Sequence, residues 1–201
     1  MERLKTKKRI SKIIFGLTFL ALLFYCQKSS AETGAYFSIG PVGLVQMGQG
    51  NRNFNAAPGV QFGGGYDWEK VGIRVRFLIG ALEDVIPSGG VDSSVEFVNF
   101  GIDLKLYILD FVGYPEMPFR PYLVGGIGAY FLTEGSVNDN DNASGGGIVF
   151  GFGVDYRIWE YISIGLENDF HIIGLIEDTP EGHNGFSLFY YTVIGVVTLH
   201  F

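Results

Sequence analysis

The strongest constraint on this chain is a hydropathy period of two. Along Val71, Ile73, Val75, Phe77 and Ile79 one parity is wholly apolar, while the other opens with Gly72, Arg74 and Arg76. Side chains alternate between the two faces of a strand, so this is a strand with one apolar face. The rhythm recurs at 98–108, where Val98, Phe100, Ile102, Leu104, Leu106 and Ile108 alternate with Asn99, Gly101, Asp103, Lys105 and Tyr107. It returns at 149–157, 161–172 and 189–201. Glycine supplies 30 of the 201 residues, about twice the usual share of roughly 7%. Each glycine weakens a helix interior by about 1 kcal/mol, which sets a helical bundle aside.

All candidates together predict eight strands, at about 34–46, 57–68, 71–82, 95–109, 121–132, 147–158, 161–173 and 187–201. An even number suits an antiparallel up-and-down barrel, whose closure removes the unpaired edges of an open sheet. The connections near Trp68-Glu69-Lys70 and Ile158-Trp159-Glu160 are tight, with a longer piece at 110–120 between them. Those at 47–56, 83–94, 133–146 and 174–186 are longer and rich in Gly, Asn, Asp, Glu and Pro. Short turns at one end and long loops at the other is the layout of a transmembrane β-barrel, with both termini on the short-turn, periplasmic side.

Residues 1–30 carry seven bases and one acid, so 31–201 carry 7 bases against 20 acids, a balance of −13. A basic start, an apolar run from Ile13 to Cys26 and the small residues Ser29-Ser30-Ala31 form the three parts of an export signal. Residues 1–31 are therefore predicted to be a signal peptide cut after Ala31, and 32–201 the barrel domain. The run of 14 residues is shorter than the roughly 20 of a spanning helix. Lipidation at Cys26 is the alternative, disfavoured by the bulky Tyr25 before it. The acidic remainder argues against nucleic acid as a partner, and a single Cys excludes a disulfide scaffold.

Parity alone does not say whether the apolar face meets lipid or a soluble barrel's core. The polar parity carries Arg74, Arg76, Lys105 and Arg157 against Asp67, Asp103, Asp155, Glu167 and Asp169. Near-balanced charge suits a narrow interior, since an unpartnered buried charge costs several kcal/mol. Aromatics gather where strands meet turns, at Trp68, Phe111, Tyr114, Phe119, Tyr122, Trp159, Tyr161 and Phe201, as an interfacial girdle does. The last strand places Phe189, Tyr191, Val193, Val197, Leu199 and Phe201 on one parity. Together these turn the apolar face to lipid and the charges inward.

The segments Pro121-Tyr122-Leu123-Val124-Gly125-Gly126-Ile127-Gly128-Ala129-Tyr130 and Gly151-Phe152-Gly153-Val154-Asp155-Tyr156-Arg157-Ile158, with the aromatic C-terminus, resemble the small eight-stranded outer-membrane barrels of OmpA and OmpX type. The resemblance covers roughly 34–201 and implies an architecture and an assembly route rather than an activity. It implies that Tyr191, Val193, Val197, Leu199 and Phe201 form the signal read by the barrel-assembly machinery. No peptidoglycan-binding domain is expected after the barrel.

An eight-stranded barrel has an interior about wide enough for its own side chains. Arg74, Arg76, Asp103, Lys105, Asp155, Arg157, Glu167 and Asp169 are expected to fill it as a polar, salt-bridged network. No catalytic residue, cofactor or metal is expected. His171 shares parity with Glu167 and Asp169, but no Ser or Cys is placed to complete a triad; His183, followed by Asn184-Gly185, is not part of a His-x-Ser motif, and His200 reads as a solvated polar end. Gly63-Gly64-Gly65 and Gly145-Gly146-Gly147 read as strand and loop glycines beside bulky neighbours, not phosphate cradles. The loop acids Glu83, Asp84, Asp92, Glu134, Asp139, Asp141, Glu177, Asp178 and Glu181 read as solvated, with divalent cations shared with lipopolysaccharide as the functional alternative. Asn138–Asn142 lacks the third ligand and turn glycine of a calcium loop. The sequence thus predicts a monomeric barrel in outer-membrane lipid and lipopolysaccharide. Its expected role is structural or interactive, with loops that contact host or environmental molecules. The alternative is a small OmpW-like channel for ions or apolar solutes.

Overall fold

A computed structural model describes residues 33–47, 56–83, 94–114, 117–134, 142–179 and 182–201. The predicted leader with Cys26, and Arg52, Asp84, Asp92, Asp139, Asp141 and Glu181 of the long connections, lie outside them, as does the side chain of His183. The strands are β1 (Gly34–Gln46), β2 (Ala57–Asp67), β3 (Val71–Glu83), β4 (Ser94–Tyr107), β5 (Phe119–Glu134), β6 (Asn142–Trp159), β7 (Ile162–Thr179) and β8 (Gly182–His200). Each pairs antiparallel with the next and β8 pairs with β1, giving a closed up-and-down barrel. One helical turn, α1 (Ile108–Phe111), follows β4 and straddles the end of the strand expected at 95–109 and the connection expected at 110–120. Arg120 of β5 holds it by donating to the Asp110 carboxylate and to the Glu69 carbonyl.

The apolar parity points outward. Phe77, Ile79, Phe100, Ile102, Leu104, Leu123, Phe150, Phe152, Leu166 and Leu199 are all exposed, and Ile127 is 65% exposed. The charged parity is buried at the centre, with Arg74, Arg76, Asp103, Lys105, Glu167 and Asp169 among the most buried side chains of the chain. A soluble barrel would have the reverse arrangement, because ionic groups bind water and hydrocarbon does not. Trp68, Phe111, Tyr114, Trp159, Tyr161 and Phe201 are exposed at the short-turn end. Tyr122 departs from the expected girdle: it is 0% exposed and faces inward, because it shares the parity of Val124.

The expected long connections at 133–146 and 174–186 are much shorter than their composition suggested. β6 begins at Asn142, β7 runs to Thr179 and β8 begins at Gly182, with Thr179 paired to Gly182. Gly145-Gly146-Gly147 lies in the ladder, paired to Leu175, Gly174 and Ile173. Among the described residues the strands are unequal: β1 to β4 have 13, 11, 13 and 14 residues, and β5 to β8 have 16, 18, 18 and 19. β1 bonds to β8 only as far as Met47, whose N–H donates to the Phe189 carbonyl at 2.7 Å. Above that point, among the described residues, β8 from 182 to 188 pairs with β7 alone.

Candidate functional site

Among the described residues, charged side chains concentrate in the barrel interior. β3 and β7 are four strands apart in a ring of eight, so their inward side chains face each other across the full width. Arg74 spans that width. Its Nη1 and Nη2 donate to the Glu167 carboxylate at 2.9 and 2.8 Å, while Nε and Nη2 donate to Asp103 Oδ2 at 2.9 and 2.8 Å. The planar guanidinium fork suits two carboxylates at once. Arg76 repeats the crossing one row away, with Nη1 donating to Asp169 Oδ2 at 3.3 Å and Nη2 at 3.3 Å from Asp103 Oδ1. The Tyr122 hydroxyl donates to Glu167 Oε2 at 2.8 Å, and Tyr107 donates to Asp67 Oδ2 at 2.7 Å. Lys105 lies 3.8 Å from Asp155 and over the rings of Tyr122 and Tyr36. Arg157 is buried at the short-turn mouth.

Four of these carboxylates share a local device. Oδ1 of Asp67, Asp103, Asp155 and Asp169 has no conventional hydrogen bond. Each lies over the glycine directly across the ladder: Gly72, Gly126, Gly165 and Gly151. A Cβ on those glycines would stand 2.1, 2.3, 2.4 and 2.1 Å from the carboxylate oxygen. The missing side chain makes the socket in which the acid lies flat against the wall, and a Cα–H contact is the weak donor available there. The glycine richness of the sequence is thus partly the counterpart of its interior acids.

The polar network occupies only the half of the interior toward the short turns, whereas all of it was expected to be polar. The other half is a packed apolar cluster that includes Leu44, Leu78, Val95, Phe97, Leu132, Ile173, Leu175, Leu188 and Tyr190. Phe97 on β4 and Tyr190 on β8 again face each other across the ring, with centroids 5.3 Å apart. The signal for this layer is that both parities are apolar toward the far ends of β7 and β8, as in Ile172-Ile173-Gly174-Leu175-Ile176 and Leu188-Phe189-Tyr190-Tyr191. Between the two layers lies His171. It bonds through Nδ1 to the Tyr130 hydroxyl at 2.9 Å and through Nε2 to Thr192 at 3.3 Å, rather than to the carboxylates that share its strand face.

At the short-turn mouth, His200 is partly covered, and its Nε2 lies 3.0 Å from Ser163 Oγ. That Ser–His contact was not legible in the sequence, because it depends on the β7–β8 register that sets Ser163 against Thr198. Ser163 is only 2% exposed, and a buried serine with one imidazole contact lacks the access and oriented acid of a nucleophilic site. The outward residues Val193, Val197, Leu199 and Phe201 are exposed on β8 and at its end, with Tyr191 half-buried beside them. Tyr191 donates its hydroxyl proton to Asn168, which satisfies a polar pair on the apolar face.

Several solved structures share this arrangement at low sequence identity. Neisserial surface protein A aligns at 11% identity, covering 84% of this chain and 97% of its own, with a TM-score of 0.60. The outer membrane protein OprG from Pseudomonas aeruginosa aligns at 11% identity over 87% of this chain and 99% of its own, TM-score 0.62. Ail, the attachment invasion locus protein of Yersinia pestis, aligns at 12% identity over 85% and 99%, TM-score 0.53. At these identities the likeness is one of fold. No curated protein matches the chain. The family model described as outer membrane protein beta-barrel domain matches residues 15–190, which span the apolar-out wall and the charged interior. The chain belongs to the outer membrane protein beta-barrel domain family.

Proposed function

We propose that this protein is a closed, non-enzymatic barrel of the bacterial outer membrane whose work is done by its surface rim rather than its lumen. Residues 1–31 direct export, and the outward residues Tyr191, Val193, Val197, Leu199 and Phe201 present the last strand to the barrel-assembly machinery. The observation that carries this reading is that the interior is bridged at two levels. Arg74–Glu167 and Arg76–Asp169 cross it in the polar half, and Phe97–Tyr190 crosses it in the apolar half. An ion would have to break the first layer and dehydrate to pass the second, each of which costs several kcal/mol. The interior charges in this reading are a structural plug.

The unequal strand lengths support the interactive half of the proposal. β5 to β8 are the longer strands, and among the described residues β8 from 182 to 188 has no strand paired on its β1 side. Such an edge pairs readily with extended polypeptide. The fold likeness to Ail, a protein named for attachment, points the same way. Two measurements test the proposal. Purified barrel in planar bilayers gives no resolved conductance steps; steps that vanish on altering Arg74 or Asp103 would favour the channel reading. Intact cells carrying the chain bind host or surface ligands, and trimming the β7–β8 tip at 177–184 abolishes that binding; equal binding by the trimmed form would overturn the rim's role.

A further inference from the structure

The wall has one interruption among its described strand pairings that no turn explains. Residues of β1 pair with β8 in unbroken register from Tyr36 to Ile39 and again from Val42 to Gln46, but Gly40 and Pro41 have no partner there. On their other side the same two residues pair normally with Gln61 and Val60 of β2. The alternation of the ladder says which bond is lost. Phe201 donates to Ala35 and Met47 donates to Phe189, so odd-numbered residues of β1 bond toward β8 and even-numbered ones toward β2. Residue 41 would donate to the Gly195 carbonyl, and a proline has no N–H to give. That carbonyl lies close over Gly40, where any Cβ would stand 1.7 Å from Gly195 O. Gly40 therefore has to be glycine, and neither Gly40 nor Gly195 brings a side chain to bridge the gap.

Proline is normally confined to sheet edges, and a closed barrel has none. The defect falls on the seam where the first strand meets the last. The other pairings run without a gap, except for a register shift at Arg157/Trp159 beside the β6–β7 turn. We infer that the barrel wall opens locally along β1–β8 around Gly40-Pro41 and Gly195 while the other seams stay closed. This is a built-in point of lateral parting in the half of the wall nearer the short turns. It is independent of what the rim binds.

Native-state hydrogen exchange on the full barrel in lipid nanodiscs tests this within a single strand. Amides of Val193, Gly195 and Val197 bond toward β1, and those of Ile194 and Val196 bond toward β7. The odd set should exchange at least about fivefold faster than the even set, the factor that one net backbone hydrogen bond is worth. Pro41→Val restores the donor and should slow Gly195 and Val197 by a similar factor. Equal protection of the odd and even sets in the unaltered protein, or no slowing in a folded Pro41→Val variant, overturns the inference. Should Pro41→Val not fold, the odd-to-even comparison decides the matter alone.

Discussion

Replacing Arg74 with methionine removes the cation that ties β3 to both β4 and β7. Four hydrogen bonds are lost, to two carboxylates that are themselves fully buried. Asp103 retains Arg76 at 3.3 Å, but Glu167 loses the guanidinium that pairs with it and keeps the Tyr122 hydroxyl as a donor. A buried charge whose partner is removed costs about 3–5 kcal/mol. With a urea dependence of roughly 1–3 kcal/mol per molar, the unfolding midpoint of Arg74→Met should fall by about 1 M or more. Urea titration of detergent-folded barrel, followed by the heat-dependent mobility of the folded form on gels, reads that shift. The decisive comparison is the double variant Arg74→Met/Glu167→Gln, in which no carboxylate is stranded and Tyr122 can still donate. It should be more stable than Arg74→Met by about 1–2 kcal/mol, even though it carries one more substitution. A single variant as stable as the unaltered protein, or a double variant no better than the single, would refute the view that the interior is held by charge pairing.

Gly126→Ala forces a methyl to within 2.3 Å of Asp103 Oδ1 and 2.5 Å of the Ile102 carbonyl. It should cost about 3 kcal/mol or more by displacing the acid from its arginines. Gly146→Ala, on the outer wall with its nearest neighbour 3.9 Å away, should change stability by less than about 1 kcal/mol. Equal effects of the two on urea midpoints would remove the case for glycine sockets. Phe97→Ala should destabilise by about 3–5 kcal/mol through the cavity it leaves. It should still give no conductance steps, because the Arg74–Glu167 layer remains. Deleting Phe201 should lower the yield of assembled barrel in cells while leaving refolding of purified chain in detergent nearly unchanged; an equal loss in both would assign Phe201 to stability instead.

The wall was legible because every strand contrasts a lipid side with an interior side, and the alternation over 71–79 and 98–108 states that contrast residue by residue. What misled was composition. Gly145, Gly146 and Gly174 look like loop residues, yet in this barrel they lie in the ladder. The apolar layer around Phe97 and Tyr190 was overlooked for a related reason. A search for alternation registers contrast, and where both faces are apolar the contrast vanishes although the strand continues. Tyr122 was assigned to the girdle by its nearness to a turn, when its parity with Val124 already turned it inward. The crossings of Arg74 to Glu167 and of Ser163 to His200 depend on strand order and stagger around the ring. Neither is written in any local stretch of residues.

Lipid contact of the apolar parity is the premise beneath the rest, and position 127 reports on it most directly, being the most exposed aliphatic side chain of the strand walls. An environment-sensitive fluorophore on Ile127→Cys, with Cys26 absent from the refolded chain 32–201, should be quenched by nitroxides carried in the bilayer and spared by a water-soluble quencher. Quenching from the aqueous phase with none from the lipid would place that face in water and contradict the account.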